Sequence, residues 1–110
     1  MSHRILQINE LIREHLGEIL LREVSFKSGI LVTISKVDTT PDLRHSRVSI
    51  SIFPESETGY AIGTLSHEKG RIQKALHGKL HMKFLPILSF RADPTEQNAD
   101  VIERILIELK

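Results

Sequence analysis

The 110-residue chain has no cysteine and no tryptophan, one tyrosine, four phenylalanines and four prolines. Without cysteine there is no disulfide framework, no thiolate metal site and no thiol nucleophile. No long uninterrupted apolar run occurs, and the opening MSHRILQINE has neither the apolar core of a signal peptide nor the length of a membrane span. The expectation is a soluble, cytoplasmic protein with no membrane partner. Phosphate loops of the Gly-x-x-x-x-Gly-Lys kind and Gly-x-Ser-x-Gly elbows are also missing. The close acid pairs, Asp38 with Asp42 and Glu55 with Glu57, fall in turns where nothing would separate their pKa values. Nothing here supports catalysis, and the chain reads as a non-enzyme.

What is present is enough for one modest aliphatic core. The apolar fraction is 40%, which at this length suits a single domain over residues 1–110, expected to be a monomer. In residues 3–22, Ile5, Ile8, Leu11, Ile12, Leu16, Ile19 and Leu20 recur at three- and four-residue steps. Glu10, Arg13, Glu14 and Glu18 fill the opposite side, as in an amphipathic helix. ILVTISKVD then places Val32 and Ile34 against Thr33 and Ser35, and RVSISIF places Val48, Ile50 and Ile52 against Ser49 and Ser51. The two strands fold back through DTTPDLRHS as an antiparallel hairpin with an extended tip around Pro41 and Asp42.

After Pro54 a helical period runs through Tyr60 or Ala61, Ile62 and Leu65, and it resumes at Ile72, Ala75, Leu76 and Leu80. Gly70 stands between the two runs, and the chain is expected to change direction there. Pro86 should end the second helix. ILSFRAD supplies a third strand with Leu88 and Phe90 inward and Ser89 and Arg91 outward. A last helix is expected from Asn98 or Asp100 through Leu109. All three strands keep one face small or polar, which implies an α+β domain whose three-stranded sheet is covered by helices on one face only.

The net charge of +1 conceals a strong asymmetry. Residues 66–91 hold Lys69, Arg71, Lys74, Lys79, Lys83 and Arg91 against the single acid Glu68, whereas residues 92–110 hold two cations against five acids. Such a concentration points to an anionic partner. If two helices meet at Gly70, the second offers backbone N–H groups at Arg71 and Ile72 to phosphate. Lys69, Arg71 and Lys74 flank that end, and Lys79 and Lys83 extend the stripe. Phe84 is the one aromatic beside it, so binding of folded RNA by shape and phosphates is expected over stacking on single-stranded bases. His77 and His81, spaced four apart, could suggest a zinc pair, but no Glu adjoins the first and no third ligand has evident spacing. No metal or cofactor is expected, and the histidines add to the basic face. Arg44, His45 and Arg47 form a second cationic group at the hairpin tip, beside an Asp42 placed to cap its own turn.

The runs VDTTPDLRHSRVSISIF (37–53) and KGRIQKALHGKLHMKFLPILSF (69–90) resemble the ribosome-binding factor A family. Pro41-Asp42-Leu43-Arg44 and Pro86-Ile87-Leu88-Ser89-Phe90 match its pattern residue for residue. The resemblance implies a type II KH-like fold, α-β-β-α(kink)α-β with a short C-terminal helix. An Ala-x-Gly kink there replaces the Gly-x-x-Gly RNA loop. Here the kink reads Glu68-Lys69-Gly70, a carboxylate standing where the family has alanine. The resemblance further implies transient binding to the small (30S) ribosomal subunit or its precursor near the junction of head and body. That binding would assist late maturation of 16S rRNA, with an assembly GTPase as a candidate second partner. The RNA-binding residues then expected are Lys69, Gly70, Arg71, Lys74, Lys79, His81, Lys83, Arg44 and Arg47. The alternative reading is a KH-like protein–protein adaptor without direct RNA binding, using the open sheet face or the apolar helix edges.

Overall fold

In the computed structural model, which describes residues 3–93, the stripe of aliphatic residues in the first segment becomes the largest contribution to the core. Helix α1, His3–Glu23, buries Ile5, Ile8, Ile12, Leu16, Ile19 and Leu20 along one face. Leu11, which the same periodicity enlists, stays 44% exposed at the edge of the stripe. Strands β1 (Leu31–Thr39) and β2 (His45–Phe53) form the expected antiparallel hairpin. Their alternation is interrupted at Ser35, where the register shifts between Ile34 and Lys36. Before this bulge Val32 and Ile34 point inward; after it Val37 and Thr39 do. One extra residue exchanges the two faces of a strand, and the displaced Ser35 donates its hydroxyl to the Ser49 carbonyl at 3.1 Å.

A single 3-10 turn, Glu55–Glu57, leads into α2 (Thr58–His67) and α3 (Lys69–Lys79), and β3 (Ile87–Ala92) completes the sheet in the order β1-β2-β3. Strand β3 pairs parallel with β2, which requires a crossover, and α2 and α3 supply it. Val48, Ile50, Ile52 and Leu88 meet Ile12, Leu16, Leu65, Ile72 and Leu76 in one continuous core. The described elements follow the order expected from the sequence, and the helix anticipated near residues 98–109 lies outside the described residues. Leu88 is buried and Ser89 and Arg91 face out, as expected for the third strand.

The joint between α2 and α3 falls at Glu68, not at Gly70. Glu68 alone leaves helical geometry, with φ −88° and ψ 5°, and helical bonding resumes on either side of it. Its N–H donates to the Thr64 carbonyl and its carbonyl accepts from Ile72 N–H, both at 3.0 Å. Gly70 lies within the first turn of α3 without a positive φ, and a Cβ built there meets nothing within 4 Å. The glycine therefore supplies no left-handed turn. Gly70→Ala should leave the fold intact and raise stability by about 0.4–1 kcal/mol through lower unfolded-chain entropy, read as a higher midpoint in urea denaturation.

The far end of α3 also departs from the sequence reading. The helix stops at Lys79, well before Pro86, because Leu80 turns to extended geometry (φ −99°, ψ 128°) and inserts its side chain into the core. The connector 80–86 is then pinned by Gln73, whose Nε2 donates to the Pro86 carbonyl at 2.7 Å and whose Oε1 accepts Leu88 N–H at 3.0 Å. A single amide thus fixes the distance between α3 and the start of β3.

Candidate nucleic-acid interface

The hairpin tip is a tightly bonded turn. Leu43 N–H donates to the Thr40 carbonyl at 2.8 Å, Thr40 N–H to the His45 carbonyl at 2.9 Å, and Leu43 closes the turn with φ 62°. Asp42 Oδ1 accepts both the Thr40 hydroxyl (2.6 Å) and Arg44 N–H (3.0 Å). The capping role expected of Asp42 is present. Those two bonds, the hydroxyl first, then the positive charges of Arg44 and His45, hold its carboxyl below its ordinary value. A depressed pKa means that Asp42 contributes stability above the carboxylate's unfolded pKa and loses it as pH falls through the lower folded value. Asp42→Ala should accordingly lower the melting temperature at neutral pH while shrinking its further drop on acidification, in thermal melts run across the acidic range.

The tip is anchored as well as closed. The Arg44 carbonyl accepts Ile87 N–H at 2.8 Å, so the tip rests against the first residue of β3. Thr39 Oγ1 donates to Asn9 Oδ1 at 2.6 Å and lies 2.8 Å from Ser46 Oγ, which ties the first half of α1 to the same end of the sheet. As a result Arg4, Arg44, His45, His81, Lys83 and Phe84 line one open groove of about 760 Å³. Lys83, Phe84 and Leu85 also border a second groove of about 420 Å³, whose other wall is Gly70, Gln73, Lys74 and His77 of α3. The two grooves share Lys83, Phe84 and Leu85 as a common border, and together they make up a furrow between the start of α3 and the hairpin tip.

Phe84 stands in the middle of this furrow with 76% of its surface exposed, and Lys83 Nζ lies 5.5 Å from its ring centroid. Lys74, Lys83 and Arg44 have no ion-pair partner among the described residues. Asp42, the acid bordering the furrow, is engaged by its own turn. A net positive groove with an exposed aromatic face suits a phosphate backbone carrying unstacked bases.

The remaining expected residues are distributed differently. Arg71 is not a free cation: it pairs with Glu23 at the end of α1 (3.2 Å) and with Glu68 (3.8 Å). Ile72 N–H is taken by Glu68, so it is not open to phosphate. Lys79 faces α1, sharing a hollow with Leu11, His15 and His81. Lys69 is half-buried beside the joint. His81 and Lys83 belong to the connector, not to α3, so His77 and His81 are not a helical pair, and His77 Nε2 lies 3.1 Å from the Met82 carbonyl instead. Among the described residues no group of three His, Asp or Glu side chains could hold a metal ion. Arg47 borders a third hollow with Arg4, Asp38 and Ser89. Sequence reasoning missed Arg4 altogether, because only the docking of α1 beside the hairpin brings it to the groove.

A family model described as Ribosome-binding factor A matches residues 4–106. The chain belongs to the ribosome-binding factor A family. Its relatives of that name include those of Thermomicrobium roseum, 28% identical over 99% of this chain and 85% of the relative, and Syntrophobacter fumaroxidans, 32% identical over 94% and 91%. The fold agrees. The crystal structure of ribosome-binding factor A from Thermus thermophilus superposes with a TM-score of 0.70 at 24% identity, covering 80% of this chain and 94% of that one. A homology model of the Thermus thermophilus factor, fitted into the cryo-EM map of a 30S complex, gives 0.68 at 25% identity, over 84% and 94%. The KH-like arrangement expected from the resemblance is therefore the observed one. The carboxylate at the ribosome-binding factor A kink is accommodated at the surface: the Glu68 side chain keeps 31% of its exposure and reaches toward Arg71 across one turn.

Proposed function

We propose that this member of the ribosome-binding factor A family binds the small ribosomal subunit or its precursor through the furrow of Lys74, Lys83, Phe84 and Arg44. Binding would assist late maturation of 16S rRNA in the cytoplasm. The observation that carries this reading is that three cations without an ion-pair partner among the described residues and an exposed aromatic ring line two adjoining grooves. The Thermus thermophilus relative fitted into a 30S complex supports the choice of partner. Mechanistically the factor needs no chemistry of its own. By binding one rRNA arrangement more tightly than the mature one, it raises the population of the first and departs when the second forms, a differential-affinity effect.

Cosedimentation of the purified protein with small-subunit precursors at 50 and 200 mM salt tests the proposal. Pelleting should fall steeply at the higher salt, since each phosphate contact returns counterions. An adaptor held by apolar contacts would pellet equally at both. Phe84→Ala should weaken the same interaction by about 5- to 150-fold, corresponding to the roughly 1–3 kcal/mol of one stacked base. Phe84 is too exposed for that loss to come from unfolding, and an unchanged affinity would remove stacking from the account.

A further inference from the structure

Among the described residues no helix covers the sheet's second face, and its features converge on one occupant. The register places Leu31, Thr33, Ser51 and Phe53 outward, on the side away from the helices. Leu31 and Phe53 are direct cross-strand partners, 61% and 50% exposed, an apolar pair that costs free energy if left in water. Farther along the same face, Lys36, Ser49 and Arg91 form one row across the three strands and Asp38, Arg47 and Ser89 the next. Three cations thus face outward with Asp38 as the acid among them.

The chain leaves the sheet at the apolar end of this face. Strand β3 runs parallel to β2, and Asp93 N–H still donates to the Ile50 carbonyl at 2.9 Å. Phe53 lies three residues, about 10 Å, farther in the same direction. The next residue is Pro94, which has no N–H with which to continue the ladder. Residues 94–110 carry four acids, Glu96, Asp100, Glu103 and Glu108, against Arg104 and Lys110. Their apolar residues Val101, Ile102, Ile105, Leu106 and Leu109 recur at helical spacing. A helix from Asn98 through Leu109 would span about 18 Å, within the length of the nine-residue strands.

We propose that residues 94–110 fold back as an amphipathic helix over the outer sheet face, seating their apolar stripe on Leu31 and Phe53 and their carboxylates toward Lys36 and Arg91. The inner face is filled by α1, α2 and α3, so this is the layer still open to the chain. The acidic segment would neutralise the outer face and leave the furrow at the other end of the sheet as the exposed basic surface.

The absence of native cysteine makes the test direct, because the only thiols are those introduced. In the full chain, Thr33→Cys with Ile105→Cys should form an intramolecular disulfide under mild oxidation. Leu21→Cys, on the exposed side of α1, with Ile105→Cys should not. Adding Lys36→Glu and Arg91→Glu should slow the Thr33 cross-link by about threefold or more. Removal of residues 94–110 should shift the amide resonances of Leu31 and Phe53. Failure of the Thr33 pair to cross-link, preferential cross-linking at Leu21, disulfide-linked dimers between two copies, or indifference to the charge reversals would each overturn the proposal.

Discussion

Replacing Lys74, Lys83 and Arg44 together by glutamate is expected to lower affinity for small-subunit precursors by about 100-fold or more, without loss of folding. Each charged hydrogen bond to phosphate contributes on the order of 1 kcal/mol or more, and reversal adds repulsion to the loss. The salt dependence should change with it: if each side chain neutralises one phosphate, the slope of log K against log salt should shrink by about 2. The exposed positions of all three keep the fold out of the result, and an unaltered circular dichroism spectrum is the control. Arg71→Glu provides the contrast. Because Arg71 is already held by Glu23 and Glu68, its reversal should disturb the α1–α3 contact more than RNA binding.

Leu76→Ala should have the largest effect on stability. Leu76 is fully buried in the cluster joining α1, α3 and the sheet, and removing its branched end leaves a cavity that helices fixed at both ends fill poorly. The expected loss is about 2–5 kcal/mol, a large share of the roughly 5–15 kcal/mol available to a domain of this size. Urea denaturation should show a much lower midpoint with an unchanged slope. A loss below about 1 kcal/mol would mean that α3 is not packed as described. The same fragility would weaken subunit binding indirectly, since α3 forms one wall of the furrow, so affinity comparisons belong with variants at exposed positions.

Local signals carried the elements of the fold, and failures arose where tertiary packing overrode a local signal. The aliphatic spacing of α1 was legible from Ile5 to Leu20 because one helix face meets one core. The bulge at Ser35 was not legible, since a serine between Ile34 and Lys36 satisfies simple alternation just as well. Gly70 drew the helix joint toward itself because glycine breaks helices in isolation. The break falls instead at Glu68, whose N–H and carbonyl stay bonded to Thr64 and Ile72 on either side. Pro86 marked a helix end that Leu80 had already made, through burial that no single residue announces.

The site was legible in composition but not in assembly. The charge run from Lys69 to Lys83 reads as one stripe, yet the fold pairs Arg71 with α1, turns Lys79 toward α1, and leaves Lys74 and Lys83 to meet Arg44 from the distant hairpin. From the sequence, Phe84 alone gave base stacking little support, because only its 76% exposure between two cationic walls makes it a stacking surface.

Ultraviolet cross-linking of the unmodified protein to small-subunit precursors, followed by mapping of the RNA-bearing peptides, tests the central claim most directly. Cross-links should fall in residues 80–86, centred on Phe84, and in the hairpin tip 41–47. RNA attached only to the outer surface of α1, or to Leu31 and Phe53 on the far face of the sheet, would contradict the account.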